Sequence, residues 1–385
     1  MSTTEQKRVF ILGAGFSKPA GLPLGDELFA ELLLAREPGS YPRLDMDIDR
    51  FIGFRNRVHG VTHSRQEVNL EEFMSFLDIE HFLGLLGSDT WSTQGNPSQI
   101  AIRHLIACVL KQREKDMDRT SLALYDAFVD RLQPSDLVVS FNYDTILETA
   151  LDRRNKPFRL VPEGDEPSLL DEAHPIRDRD VILLKMHGSI DWFDIAPFLD
   201  ACQPSHWDEP YRLPRHAVFT DYKRFRPRRI AGKFYNQSPL SGIHRVENLE
   251  FWFEHPHRGV YTPLILSPSF SKVLYLNPLR QLWHGFDYIG YNCDRFCVIG
   301  FALPQHDEYL RQPLANAIVA FQSSDDTEPS ARRSKLKMVD FRESDKDVAQ
   351  YKESYSFVDW EKTECFFGGF SECSLAFIFD DNPPR

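Results

Sequence analysis

The strongest constraint on this chain is a repeated local pattern, in which a short apolar run stops abruptly at a glycine or polar turn and a helical pattern follows. Val9 to Leu12 runs directly into Gly13-Ala14-Gly15, with a helix predicted over Leu24 to Arg36. Asp136 to Ser140 (DLVVS) runs into Phe141-Asn142-Tyr143-Asp144, followed by the helical TILETALDRR. Val181 to Met186 (VILLKM) meets His187-Gly188-Ser189, and Phe296 to Gly300 (FCVIG) precedes a helix over residues 307 to 320. Lys335 to Phe341 (KLKMVDF) supplies the last core strand. Runs this short and this uniformly apolar suit strands buried on both faces, which means a parallel sheet covered by helices. The alternation predicts a doubly wound, Rossmann-like α/β fold, whose ligands lie beyond the carboxyl ends of the strands. Four turns, GAGFS, FNYD, HGS and GFA, should therefore converge there.

At 385 residues the chain exceeds one ordinary domain. The core is assigned to residues 1–40, 120–192 and 262–342, with a helical insertion at 41–119 and a loop-rich insertion at 193–261. Tyr261 to Leu266 is a further candidate strand, and Ser323 to Ser334 reads as a polar surface loop. The tail, 343–385, carries the apolar clusters CFFGGF and SLAFIF and is read as a docking or oligomerisation segment.

Composition excludes several classes. With 42% hydrophobic and 26% charged residues the chain is globular, and a net charge of −12 gives no general attraction to nucleic-acid backbones. The local basic run Tyr222-Lys-Arg-Phe-Arg-Pro-Arg-Arg229 is read as a solvated loop, with an acidic partner or a nucleic-acid strand as the alternative. The six cysteines form no paired CxxC motif, which disfavours zinc and fits free thiols in a reducing cytoplasm. His255 and His257 lack a third ligand nearby. Residues 1 to 8 are polar and charged, and no apolar run approaches the ~18 residues of a membrane span, so neither secretion nor membrane insertion is expected.

The glycine turn alone is a weak signal. Gly13 and Gly15 can let backbone amides approach a pyrophosphate, or they can simply pack. Lys18 stands where a dinucleotide fingerprint has its third glycine. No acid-ended strand follows ~20 residues later, and no GK[ST] is present. Hydride-transferring dehydrogenases and P-loop enzymes are therefore disfavoured.

Taken together the motifs are more specific. GAGFSKPAGLP at 13–23 resembles the GAGxSxxxGxP signature of sirtuins. FNYD is similar to their Asn-x-Asp turn, KMHGS at 185–189 to their catalytic His-Gly, and VIGFAL at 298–303 to their late glycine strand. The likeness covers about half of the chain and leaves out the insertions and the tail. Protein deacylases of this family carry four zinc cysteines after the His-Gly turn and Phe-Arg after the proline. Here the interval 190–292 holds only Cys202, and Leu24-Gly25 follows Pro23. The closer resemblance is to sirtuin-like domains of bacterial antiphage systems, whose companions include segments like HGSIDW and GFALPQHDEYLR.

That resemblance implies an NAD glycohydrolase, with NAD as substrate and no structural zinc, that cleaves the nicotinamide–ribose bond. It implies His187 as base, with Asn142 as its main polar partner and Asp144 holding ribose or Asn142. Gly13, Ala14, Gly15, Phe16, Ser17, Gly188, Ser189, Gly300 and Phe301 would contact NAD. It also implies a homo-oligomer gated by a HerA-type hexameric ATPase or, less favoured, a short Argonaute. An NAD- or ADP-ribose-binding scaffold without turnover is the alternative, and protein deacylation ranks third. Simpler readings of single residues stay open. Asn142, Asp144 or Ser17 can cap helices, and His306 and Asp307 read as helix-start residues.

Overall fold

The computed structural model describes residues 7–37, 39–85, 95–160, 180–202, 218–231, 238–250, 252, 262–270, 277–303, 307–323 and 334–380. The strands are β1 (Arg8–Leu12), β2 (Leu137–Ser140), β3 (Phe158–Arg159), β4 (Val181–Lys185), β5 (Trp192–Asp194), β6 (Pro227–Arg229), β7 (Ile243–Val246), β8 (Arg295–Ile299), β9 (Leu336–Val339) and β10 (Thr363–Phe366). The helices used below are α1 (Ala14–Ser17), α2 (Gly25–Ala35), α3 (Pro42–His59), α4 (Leu70–Leu83), α5 (Pro97–Lys115), α6 (Arg119–Arg131), α7 (Ile146–Arg153), α8 (Ala196–Cys202), α9 (Tyr222–Phe225), α10 (Glu308–Ser323), α11 (Asp345–Ser354) and α12 (Glu372–Phe379). Two compact units result, 1–22 with 116–187 and 279–385, and 23–115 with 188–278.

The first unit is built on a seven-stranded sheet in the order β10-β9-β8-β1-β2-β4-β3, with every pair parallel. Register shows how its faces are covered. Phe10 lies beside Cys297, and Cys297 beside Lys337, so the three share a face. On that face the Phe10 ring meets Phe128 of α6 at 5.8 Å and Phe379 of α12 at 5.6 Å. Lys337 Nζ donates to Phe377 O at 2.5 Å, placing a cation on the last carbonyls of α12. Phe296, one residue earlier on β8, faces the opposite side and meets Phe321 of α10 at 5.7 Å. Helices therefore cover both faces, the doubly wound arrangement expected from the apolar runs. The strands after β1 add outward in one direction and those from β8 in the other, so the sheet's switch point lies between β1 and β8.

One expectation changes in this unit. KLKMVDF is not the last strand, because β10 adds in parallel outside β9. Its TECF sequence is half-exposed and carries a charge, as a one-sided edge strand can, so it lacks the apolar run that marks an interior strand. The tail, read as a docking segment, docks on the body of its own chain. Phe370 lies 4.5 Å from Phe16 and 5.7 Å from both Tyr125 and Phe128.

The second unit joins α2, α3, α4 and α5 to the chain after His187, so the two predicted insertions form one body that also takes residues 23–40 and 262–278. Gly60 and Gly84 end α3 and α4 in the left-handed conformation. Phe73 meets Phe29 at 5.7 Å and Phe51 at 5.5 Å in the interior. Asp78 of α4, wholly buried, accepts hydrogen bonds from Gln99, Ser267 and Ser269, which ties the 262–270 segment to the helices. Burial raises the Asp78 carboxyl, and the two hydroxyls and the amide oppose that rise.

The region read as loop-rich holds an antiparallel sheet, β5-β7-β6, whose strands of three or four residues are too short for periodicity to reveal. In place of a Tyr261–Leu266 strand there is an isolated bridge from Ile265 to Gly188, and Tyr261 lies outside the described residues. The basic run folds into α9 and β6. Arg228 pairs with Glu247 at 2.7 Å and Arg224 with Asp221 at 3.7 Å, so part of its charge is met within the chain. Among the described residues no helix is long and apolar enough to cross a membrane.

Phe370 tests whether the tail belongs to the core. Phe370→Ala should lower stability by about 3–5 kcal/mol, the range for a buried phenylalanine. A chemical-denaturation midpoint unchanged from wild type would show the tail to be an appendage.

Candidate active site

The turns after β1 and β8 meet backbone to backbone. Gly13 N donates to Ile299 O at 3.0 Å, Gly15 N to Gly300 O at 2.8 Å, and Phe16 N to Gly13 O at 2.9 Å. A Cβ on Gly13 would lie 2.5 Å from Gly300 O, one on Gly15 2.7 Å from Gly300 Cα, and one on Gly300 2.3 Å from Phe16 N. Gly300 also has φ +61°, the left-handed region that glycine occupies without penalty. Of the two roles open to Gly13 and Gly15, these contacts show the packing one. Their missing side chains admit the neighbouring turn, and their amides are engaged by its carbonyls. Ala14 is the exposed residue of this turn, while Phe16 is buried against Tyr125, Phe128 and Phe370 and faces the core.

The turn after β2 divides its four residues between two neighbours. Asn142 and Asp144 reach the β1 turn. Asn142 Nδ2 donates to Gly13 O at 2.8 Å and to Ser17 Oγ at 3.1 Å, and Ser17 Oγ donates to Asp144 Oδ2 at 2.8 Å. Asp144 Oδ1 accepts Ile146 N at 3.2 Å, so the carboxylate also caps the start of α7. The Asn142 amide oxygen is left as the group able to accept from a ligand. Tyr125 supports the same turn by donating to Phe16 O at 2.9 Å. Burial pushes its phenol well up, with the Asp144 charge adding, which keeps it a neutral donor.

Phe141 and Tyr143 lie against His187. The Phe141 ring meets the imidazole edge-on at 5.1 Å, and the Tyr143 ring lies 6.1 Å away. Phe301 stacks on Phe141 at 5.0 Å, and Trp283 lies 6.1 Å from Phe141 and 5.7 Å from Tyr309. His187 is thus held among aromatic rings and is only 6% exposed. Its Nε2 is 2.5 Å from the hydroxyl of Tyr309, the second residue of α10. Asn142 was expected to be the main polar partner of His187. Its amide nitrogen instead holds the β1 turn, and Tyr309 sits on the imidazole. The sequence reading does not single out Tyr309 as a site residue, although it lies within the GFALPQHDEYLR stretch that carries part of the resemblance.

Two residues before His187, Lys185 is buried and ion-paired with the equally buried Glu148 of α7 at 3.1 Å, and it donates to Asp144 O. The end of β4 is thereby tied to the turn after β2. Gly188 and Ser189 belong to the second unit. Gly188 has φ +79°, and a Cβ there would lie 2.0 Å from Leu264 O. Ser189 is buried and donates its amide to Leu264 O at 3.0 Å. Asp307 is the residue before α10, and its carbonyl accepts Leu310 N and Arg311 N, so it starts that helix. His306, His255 and His257 lie outside the described residues.

Cys108 and Cys297 are pushed up to about 12 by burial, which holds them as thiols rather than nucleophiles. Among the described residues no group of three or more His, Cys, Asp or Glu side chains could hold a metal.

An all-parallel doubly wound sheet, with polar and aromatic turns gathered beside its switch point, defines a Rossmann-like α/β domain. A model of the SIR2-like domain family matches residues 136–223, from the start of β2 through the His-Gly turn to α9, and supports a Sir2-type domain. SIR2-like domains bind NAD. No curated protein matches the chain.

The glycine contact carries a direct test. Gly300→Ala should cost roughly 1–3 kcal/mol of overpacking on top of about 1–2 kcal/mol of left-handed strain. Gly21→Ala, with φ +78° and nothing within 4 Å of the added methyl, should cost the strain alone. Equal denaturation midpoints for the two variants would contradict the backbone contact.

Proposed function

We propose that this chain is an NAD glycohydrolase that releases nicotinamide and ADP-ribose. The observation that carries the reading is His187, at the carboxyl end of β4, enclosed by Phe141 and Tyr143 with a hydroxyl on its Nε2. Nicotinamide leaves as a neutral base and needs no proton, so the chemistry asks for a desolvated place in which positive charge can develop on ribose, and for one base. Aromatic faces exclude water and attract a cation. Water adds to the ribose carbon as the glycosidic bond breaks, and His187 takes the proton that water gives up. The Asn142 oxygen accepts from the ribose or the water, and Ser17 and Asp144 hold that amide in place.

In the same reading the chain depletes NAD as an effector of bacterial antiphage defence. It works in the cytoplasm as a homo-oligomer whose activity is gated by a separate partner, a HerA-type ATPase ahead of a short Argonaute. Gating follows from the chemistry, because an unrestrained NAD hydrolase would kill its host.

Chromatography of NAD after incubation with the protein, alone and with the candidate partners, should show nicotinamide and ADP-ribose in equal amounts. His187→Ala should lower the rate by roughly 100-fold or more, the range for loss of a general base. NAD left intact under every condition would remove the proposal. A binding-only scaffold is the second reading. It is favoured by the engagement of Gly13, Gly15, Ser17 and Asp144 within the protein. Calorimetry showing tight NAD binding with no nicotinamide released would select it.

A further inference from the structure

We propose that Tyr309 is a positioning residue that acts through His187, its hydroxyl donating to Nε2 and so holding the imidazole in the tautomer that carries its proton on Nδ1. The inference deepens the hydrolase reading and rests on it for its kinetic consequence. The two atoms are 2.5 Å apart, within hydrogen-bond distance.

The direction of the bond follows from chemistry. A phenol hydroxyl is a stronger donor than an imidazole N–H, and an imidazole nitrogen is a stronger acceptor than a phenol oxygen. Between a neutral histidine and a neutral tyrosine, the hydroxyl therefore gives its hydrogen to the ring nitrogen. The neutral ring then has its remaining proton on Nδ1.

The surroundings prevent either ring from turning freely. Phe141 abuts the imidazole edge-on and the Tyr143 ring lies 6.1 Å from it. Tyr309 is itself packed against Trp283 at 5.7 Å and leaves the second position of α10, whose start is fixed by the Asp307 carbonyl. Phe301 stacks on Phe141 and so backs the same wall. The Tyr309 hydroxyl adds a directional bond to that packing. The bond also places a proton-bearing group on the nitrogen that would otherwise take a proton from water. In turnover the attacking water takes the hydroxyl's place on Nε2, and the proton held on Nδ1 keeps Nε2 an acceptor.

The test has two arms. In the first, nitrogen-15 NMR of histidine-labelled wild type at neutral pH, with the His187 signals assigned by their loss in His187→Ala, should show a protonated Nδ1 and a bare, hydrogen-bonded Nε2. In Tyr309→Phe, which keeps the ring and its contacts, the Nε2 shift should move and the tautomers should mix. A protonated Nε2 in the wild type, or spectra that do not change in Tyr309→Phe, would overturn the proposal whether or not NAD is cleaved. In the second arm, Tyr309→Phe should lower kcat about tenfold, the size of one neutral hydrogen bond, with KM unchanged. An unaltered kcat in a folded variant would overturn the positioning role. If wild type cleaves no NAD, the hydrolase reading fails, and the NMR arm still decides whether Tyr309 sets the tautomer.

Discussion

Everything in the first unit depends on the contact between the turns that follow β1 and β8. Three glycines, at 13, 15 and 300, allow two backbones to approach to distances that no side chain could tolerate. The steric term is close to a hard wall, so this contact admits almost no adjustment. It sets where the Phe301 ring stands, and Phe301 in turn stacks on Phe141, whose edge meets His187. The tail reinforces the same turn from behind. The buried Tyr355 hydroxyl donates to Phe301 O at 2.7 Å, and Arg311 donates to the carbonyls of Leu303 and Ser354. Leu303 itself is held at φ +50°, a conformation leucine adopts only when its surroundings impose it.

The turn after β2 shows how a short segment can serve structure and chemistry together. Two polar residues, Asn142 and Asp144, bind the β1 turn through Ser17, while two aromatic ones, Phe141 and Tyr143, wall His187. Holding a carboxylate, an amide and a hydroxyl in one closed set satisfies groups that would be costly to bury alone. The buried Lys185–Glu148 pair extends that logic beneath the turn. Such pairs contribute little net stability, but loss of one partner leaves an isolated charge, so the geometry is held by the penalty of breaking it.

The interior strands were readable because a strand buried on both faces must be a continuous apolar run, and β1, β2, β4, β8 and β9 all stand where such runs were found. β10 was not readable, since an edge strand needs only one ladder and one covered face. The small sheet of β5, β6 and β7 escaped for a different reason, because three residues do not make a period. Of the four turns expected to converge, GAGFS, FNYD and GFA are neighbours in the first unit and are joined there by His187 alone of HGS, yet the partners inside them were not foreseen. Gly13 and Gly15 fit against Gly300 rather than opening toward a phosphate, and Phe16 faces the core.

The sequence by itself determined that strands and helices alternate, that the strands run parallel, and which turns stand at their carboxyl ends. These follow from local facts, namely apolar run length and the glycine or polar residue that stops each run. Only the tertiary structure decided which atoms those turns offer. Whether an amide points at a neighbouring carbonyl or at open space, and whether Asn142 or Tyr309 meets His187, depends on contacts between residues more than one hundred positions apart. No local pattern encodes such contacts. They are set by close packing of the sheet and its covering helices, and that packing has brought Tyr309, which the sequence marks only as part of the late GFALPQHDEYLR stretch, onto the imidazole the motifs single out.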